Sequence, residues 1–194
     1  MEYCNFSGGA QGSDTFFEKE GEKYGIKTIA YSFYGHNTSS KNKWNLTTEQ
    51  LEEGLKHVEI TNKTLDRNIT TISTYVKKLL CRNWYQVKNA DCIYAIGTLK
   101  SDGTVDGGTG WAVQMAIDNN KPVYLFEQNK NTWYEYRPAF GNLHTDRFAE
   151  PGGFYEVSIP PLTEKFAGIG TRNLNENGKK AIIELYRINF NEPR

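Results

Sequence analysis

The fold of this chain depends first on the stretch Ser7-Gly8-Gly9-Ala10-Gln11-Gly12-Ser13-Asp14. Residues 2–6 predict a short strand before it, and residues 13–24 predict a helix after it. In such a unit, glycines let backbone N–H groups approach a phosphate, and the positive end of the helix dipole attracts it. A tight connection without a ligand explains one such turn equally well. The candidate ligand contacts are Ser7, Gly8, Gly9, Ala10, Gln11, Gly12 and Asp14, the last of which is alternatively a helix cap.

A second glycine turn, Asp106-Gly107-Gly108-Thr109-Gly110, repeats this design further along the chain. It follows a nearly continuous apolar run over residues 91–97, which predicts a central parallel strand buried on both faces. Two such turns after two parallel strands favour a phosphate site over two tight connections. Gly107, Gly108, Thr109 and Gly110 are therefore further candidate contacts.

The remaining segments continue an alternation of strands and helices. Residues 129–161 break it with aromatic and turn residues, and we expect them to form an insertion with a hairpin. Further strands are predicted over 26–33, 121–127 and 166–170, a loop over 34–44, and helices over 47–65, 69–87, 111–118 and 176–190. The chain is thus predicted to be one α/β domain over 1–194. Its sheet is expected to be Rossmann-like, doubly wound and mostly parallel, with helices on both faces and ligands at the carboxyl ends of the strands.

The amino-acid composition disfavours some classes of binding partner. Lys and Arg total 23 and Asp and Glu total 23, so no global field favours nucleic acid or an acidic membrane. No run reaches the roughly 18 apolar residues of a membrane span, and the polar start is unlike a signal peptide, so we expect a cytoplasmic protein. Cys4, Cys81 and Cys92 are expected to be reduced thiols. Because His36, His57 and His144 lack metal-ligand spacing, we expect no metal, and no other cofactor is expected.

The motifs together resemble the SLOG superfamily, which includes the LOG phosphoribohydrolases and DNA-processing protein A. The resemblance covers most of residues 1–128 and is carried by three segments in order. They are the first glycine turn, the helical segment Cys81-Arg82-Asn83-Trp84-Tyr85-Gln86-Val87, and the second glycine turn followed by Lys121-Pro122-Val123. The resemblance implies a nucleotide-binding domain with Arg82 and Asn83 among its ligand contacts, and relatives of this kind are often homodimers.

The order of the motifs departs from that superfamily. Its members usually begin with a strand ending in Gly-Ser-Arg and a helix, and only then reach the Ser-Gly-Gly turn. Here Phe166-Ala167-Gly168-Ile169-Gly170-Thr171-Arg172 and its helix stand at the far end, which indicates a circular permutation with the usual first strand and helix at residues 166–190. Gly170, Thr171 and Arg172 are then expected at the ligand edge, where the Arg172 guanidinium suits a phosphate. The alternative is that Arg172 only caps a surface helix.

The residue at position 114 bears on whether the site only binds a nucleotide or also cleaves it. LOG enzymes carry a glutamate four residues after the last glycine of the second turn, and this chain has Gln114 there. Glutamine can hold ribose hydroxyls but cannot act as a carboxylate base. The resemblance therefore favours a non-catalytic binder of an ADP-ribose-like nucleotide. The alternatives are a LOG-like phosphoribohydrolase or N-glycosidase, in which Arg82 orients phosphate and Asp14 or another acid replaces the glutamate, and a DNA-associated SLOG protein.

Aromatic and polar residues near the turns are candidates for reading the base. Each aromatic is alternatively a core or dimer-packing residue. The candidates are Phe33, His36, Thr38, Trp84, Trp111, Trp133 and Tyr134. The compact form, without an effector domain, resembles phage sponges of the Sequestin and Lockin type, which sequester immune-signal nucleotides and counter systems such as Thoeris. It implies a homodimer or higher homo-oligomer in the host cytoplasm, binding a cyclic or linear signal.

Overall fold

The computed structural model describes residues 2–141 and 147–190. The strands are β1 (Cys4–Ser7), β2 (Lys27–Ser32), β3 (Lys43–Asn45), β4 (Cys92–Gly97), β5 (Val123–Glu127), β6 (Thr132–Arg137), β7 (Gly153–Val157) and β8 (Lys165–Gly170). The helices are α1 (Ser13–Lys23), α2 (Thr48–Leu65), α3 (Thr74–Asn89), α4 (Gly107–Asp118) and α5 (Glu176–Phe190), with a 3-10 turn at Ile69–Thr71.

All eight strands join one sheet in the order β3-β2-β1-β8-β4-β5-β6-β7. Strands β1, β2, β3, β4, β5 and β8 pair in parallel, and β6 runs antiparallel to β5 and β7. The last strand of the chain, β8, lies in the middle, between β1 and β4. If β8 is counted as the first strand and the short edge strand β3 is left out, β2-β1-β8-β4-β5 has the 3-2-1-4-5 order of a Rossmann sheet. The predicted Rossmann-like α/β fold is confirmed, and its strand order is the one that a permuted chain requires.

Helices cover both faces of the sheet. Alternate residues of β4 supply the two cores, because successive side chains of a strand point to opposite faces. Ile93 and Ala95 pack with α2, α3 and α4 on one face, whereas Tyr94 and Ile96 pack with α1 and α5 on the other.

Two helices begin at residues other than the predicted ones, and a third begins as predicted. The Thr47–Gln50 capping box opens α2 as predicted. Helix α3 begins at Thr74, because the Ser73 hydroxyl accepts a hydrogen bond from the backbone N–H of Val76 at 3.3 Å. Helix α4 begins at Gly107, so the second glycine turn is itself the first turn of a helix.

One connection differs from the prediction, and the hairpin of the insertion agrees with it. The predicted loop over residues 34–44 ends in β3, a short edge strand paired with β2. The predicted insertion supplies β6 and β7, which extend the sheet beyond β5. Residues 142–146 of that insertion, and His144 with them, lie outside the described residues.

Candidate functional site

A cleft of about 680 Å³ opens where the carboxyl ends of β4 and β8 meet α3 and the start of α4. Its volume lies in the range of small-molecule sites, which is roughly 300–1,000 Å³. Counted from β8, the cleft is at the point where strand order reverses, and ligands of open α/β sheets bind there. The fold therefore places this cleft where the glycine turns were expected to gather.

The cleft joins all three sequence segments that carry the glycine turns. The predicted contacts that line it are Ala10, Gln11, Asp14, Arg82, Asn83, Gly107, Gly108, Thr109, Gly170, Thr171 and Arg172, and His36 lines it as well. The predicted contacts outside its lining are Ser7, Gly8, Gly9, Gly12, Phe33, Gly110 and Gln114.

Protein side chains already form hydrogen bonds with the backbone of the first glycine turn. The N–H of Gly8 donates to Asp14 Oδ2 at 3.2 Å, and the N–H of Gly9 donates to Ser7 Oγ at 2.9 Å. The Thr38 hydroxyl donates to the Gly9 carbonyl at 2.6 Å. The expectation that Gly8 and Gly9 present N–H groups to a phosphate is therefore not met, because protein acceptors already occupy them.

Asp14 joins the first turn to the central strand. Its carboxylate is 4% exposed and accepts hydrogen bonds from the N–H groups of Gly8, at 3.2 Å, and Gly170, at 3.1 Å. Burial raises the pKa of Asp14 to about 6, and the positive charge of Arg82 opposes this increase. The Asp14 side chain is thus a buried acid at the wall of the cleft.

Arg82 is the buried cation of the cleft. It is 5% exposed on α3, and it donates to the carbonyl oxygen of Gly8 and, at 3.3 Å, to Asn83 Oδ1. Within the described chain, its Nε–H has no hydrogen-bond partner. Burial lowers the pKa of Arg82, while the nearby Asp14 raises it. The Nε atom is itself buried, so Arg82 favours an anion in the cleft through the positive charge of its guanidinium and not through this donor.

The start of α4 is open to a ligand. Asp106 precedes the helix without making a side-chain cap hydrogen bond. A Cβ placed on Gly107 or Gly108 would have no heavy atom within 4 Å. The first N–H groups of a helix have no partner inside the helix, so those of this turn remain available to an anion.

Arg67, which the sequence did not single out, holds that turn. It donates to the carbonyl oxygens of Gly107, at 2.9 Å, and Val105, at 3.0 Å, and its guanidinium lies 5.7 Å from the centre of the Trp111 ring. Its partners lie about 40 residues away in sequence, so no local pattern could have identified it.

Two further groups complete the lining. Arg172 is exposed at the cleft, where its guanidinium adds positive charge. His36 Nδ1 lies 3.0 Å from Ser32 Oγ. Burial, followed by the positive charges of Arg82, Lys43 and Arg172, lowers the pKa of His36 to about 4, so this imidazole is neutral at physiological pH.

The three tryptophans predicted to stack on a base do not line the cleft. Trp84 stacks on His57 with ring centres 3.4 Å apart, Trp111 packs in the core beneath Arg67, and Trp133 packs against Phe126. The same correction applies to Gln114, whose amide donates to Asp118 Oδ1 at 2.9 Å on α4. Packing explains each of these side chains without a ligand.

Comparison with protein-family models, curated proteins and solved structures finds no match for this chain. The resemblance to the SLOG superfamily therefore rests on the sequence motifs alone. Within residues 2–141 and 147–190, no helix is long and apolar enough to cross a membrane. The same residues contain no cluster of three or more His, Cys, Asp or Glu side chains suited to a metal ion.

Proposed function

We propose that this protein binds a small phosphate-bearing nucleotide in the cleft between α3 and α4. The observation that carries the proposal is the meeting of two anion-binding features. The uncapped start of α4, with the open Gly107 and Gly108, lines the same cleft as Arg82, a buried cation. A phosphate there would receive helix N–H groups and the attraction of the buried guanidinium together.

The cationic groups of the cleft suit an anionic ligand. Arg82 stands in the wall of the cleft and Arg172 is exposed at it, and both lower the pKa of His36. The net charge of the chain is zero and Asp14 and Asp106 also line the cleft, so the positive field is confined to the surroundings of the two arginines. A local field suits a small ligand better than a nucleic acid, which usually needs an extended basic surface.

We further propose that the ligand is held and released unchanged. Gln114 bears no carboxylate and its side chain is engaged with Asp118 outside the cleft lining. Together with the resemblance to phage sponges, this favours sequestration of an ADP-ribose-derived immune signal by a homo-oligomer.

The test is to incubate the purified protein with ADP-ribose and with AMP, measure binding by calorimetry, and analyse the ligand by mass spectrometry after denaturation. We expect intact nucleotide and weaker binding in Arg172→Ala. Lys180→Ala is the matched control, since Lys180 is an exposed cation outside the cleft. Equal weakening by both variants, or no binding to the native protein, would contradict the proposal. Light scattering on the same sample tests the homo-oligomer.

One observation favours a second function, N-glycosidase chemistry. Asp14 lines the cleft, and its pKa of about 6 suits a general acid near neutral pH. Release of free base from AMP or ADP-ribose, lost in Asp14→Asn, would establish this enzyme and refute simple sequestration. Intact nucleotide after prolonged incubation excludes it for these substrates.

A further inference from the structure

One face of α3 changes from apolar to polar as it descends into the cleft. At the mouth, Tyr75 is 42% exposed and Val76 is 39% exposed, whereas Arg82 is 5% exposed and Gln86 is 1% exposed. The cleft-lining residues of this helix are Tyr75, Val76, Leu79, Leu80, Arg82, Asn83 and Gln86. The helix therefore presents apolar surface at one end of the cleft and hydrogen-bonding groups at the other.

The Tyr75 ring at the mouth is supported from behind. Phe33, which is 3% exposed, meets it edge-on with ring centres 5.6 Å apart and planes inclined at 70°. The same Phe33 ring stacks with His36, with ring centres 5.0 Å apart. Phe33 thus orients two rings that both line the cleft, although it does not line the cleft itself.

Spacing along α3 relates this aromatic end to the cationic end. Tyr75 and Arg82 are seven positions apart, which is about two turns and about 10 Å along the helix axis. An elongated ligand with an anionic group near Arg82 would therefore bring its other end to Tyr75. An exposed aromatic face beside a polar cleft is the feature on which nucleobases stack.

We propose that Tyr75 is the base-stacking residue of this cleft, held in place by Phe33, so that the site selects nucleotides over sugar phosphates without a base. This inference rests on the proposed nucleotide-binding function and names the part of the ligand that determines its specificity. Tyr75 takes the base-stacking role that the sequence suggested for three tryptophans, each of which packs elsewhere. The sequence motifs did not identify Tyr75, because it lies in the first turn of α3 and no glycine turn is next to it.

The experiment compares dissociation constants for AMP, ADP-ribose and ribose 5-phosphate. Tyr75→Leu removes the flat ring and keeps an apolar side chain, while Tyr75→Phe keeps the ring. Tyr34→Ala is the matched control, since Tyr34 is 97% exposed and does not line the cleft. We expect Tyr75→Leu to weaken AMP and ADP-ribose binding about tenfold, as loss of one base stack does. Ribose 5-phosphate binding should be unchanged in every variant, and Tyr75→Phe and Tyr34→Ala should bind all three probes like the native protein.

The outcomes separate this inference from the proposed function. If the native protein binds AMP no more tightly than ribose 5-phosphate, or if Tyr75→Leu leaves AMP binding intact, base stacking on Tyr75 is wrong while the phosphate site stands. If Tyr75→Leu weakens all three probes equally, Tyr75 shapes the cleft and does not read a base, which also overturns the inference. If none of the probes binds the native protein, the proposed function and this inference fail together.

Discussion

The two glycine turns differ in what surrounds them, although their sequences look alike. In the first turn, a Cβ on Gly8 would lie 2.6 Å from Arg82 Cζ, and one on Gly12 would lie 2.5 Å from the carbonyl oxygen of Thr171. In the second turn, a Cβ on Gly107 or Gly108 would have no neighbour within 4 Å. The first turn needs glycine because protein packs against it. In the second turn Gly107 and Gly108 leave open space, whereas a Cβ on its last glycine, Gly110, would press on the carbonyl oxygen of Val105.

The hydrogen-bonding groups of the two turns differ in the same way. Asp14 lies inside the first turn and accepts the N–H of Gly8, whereas Asp106 precedes the second turn and caps nothing with its side chain. Glycine-rich composition before a helix therefore occurs here in two physical settings, close packing at the first turn and open space at Gly107 and Gly108. Four substitutions test this division, from the largest expected effect to the smallest.

Gly12→Ala should destabilise the fold most. Gly12 has φ of 104°, and its Cβ would press on the backbone of Thr171 and Arg172, which cannot move without shifting β8. We expect a loss of about 3 kcal/mol in the free energy of unfolding, measured by urea denaturation. Gly35→Ala is the control, since Gly35 has φ of 85° and an open surrounding, and it should lose about 1 kcal/mol. Equal losses would show that backbone conformation alone requires Gly12.

Asp14→Asn should change how stability depends on pH. The native pKa of Asp14 is raised from 3.8 to about 6, so the folded protein binds this proton more tightly and Asp14 favours folding less as pH rises. Its contribution therefore declines by about 2–3 kcal/mol between pH 4 and pH 6. His36, with its lowered pKa, acts in the opposite direction in both proteins. The free energy of unfolding of Asp14→Asn, minus that of the native protein, should rise across this window; a constant difference would contradict a raised pKa.

Gly108→Ala should weaken ligand binding without harming the fold. Its methyl group enters open space at the start of α4, where we expect the phosphate to approach. AMP affinity should fall about tenfold, or about 1.4 kcal/mol, in calorimetry. The melting temperature should stay the same or rise, because alanine favours a helix over glycine. The matched control is Gly153→Ala, an equally open glycine on β7 outside the cleft, and weakening by both variants would count against a phosphate at α4.

Arg67→Lys should have the smallest effect. It removes the forked contact to the carbonyl oxygens of Val105 and Gly107 and keeps the charge. We expect about 1 kcal/mol of lost stability and a few-fold weaker AMP binding, from thermal unfolding and calorimetry. Lys63→Arg, a swap of similar size at an exposed position of α2, should change neither. Unaltered AMP binding in Arg67→Lys would mean that the second turn keeps its shape unaided.

Sequence patterns predicted most of the fold, and the errors have physical causes. The apolar run of β4 and the capping box of α2 are local signals that tertiary packing reinforces. The edge strand β3 was missed because its three residues are all exposed and show no burial pattern. Trp84 was misplaced because an aromatic residue on a helix has the same sequence pattern whether it meets a ligand or, as here, His57.

The sequence by itself determined most of the elements, their order and the segments that carry glycine turns, since spacing and turn composition act over a few residues. It also indicated that the last strand belongs beside the first turn. Only the tertiary structure decided which turn is open to a ligand, because the relevant partners are far apart in the chain. Arg82 meets the Gly8 carbonyl across 74 positions, Thr38 meets the Gly9 carbonyl across 29, and Arg67 meets Gly107 across 40. The first two contacts hold one turn closed and the third braces the other.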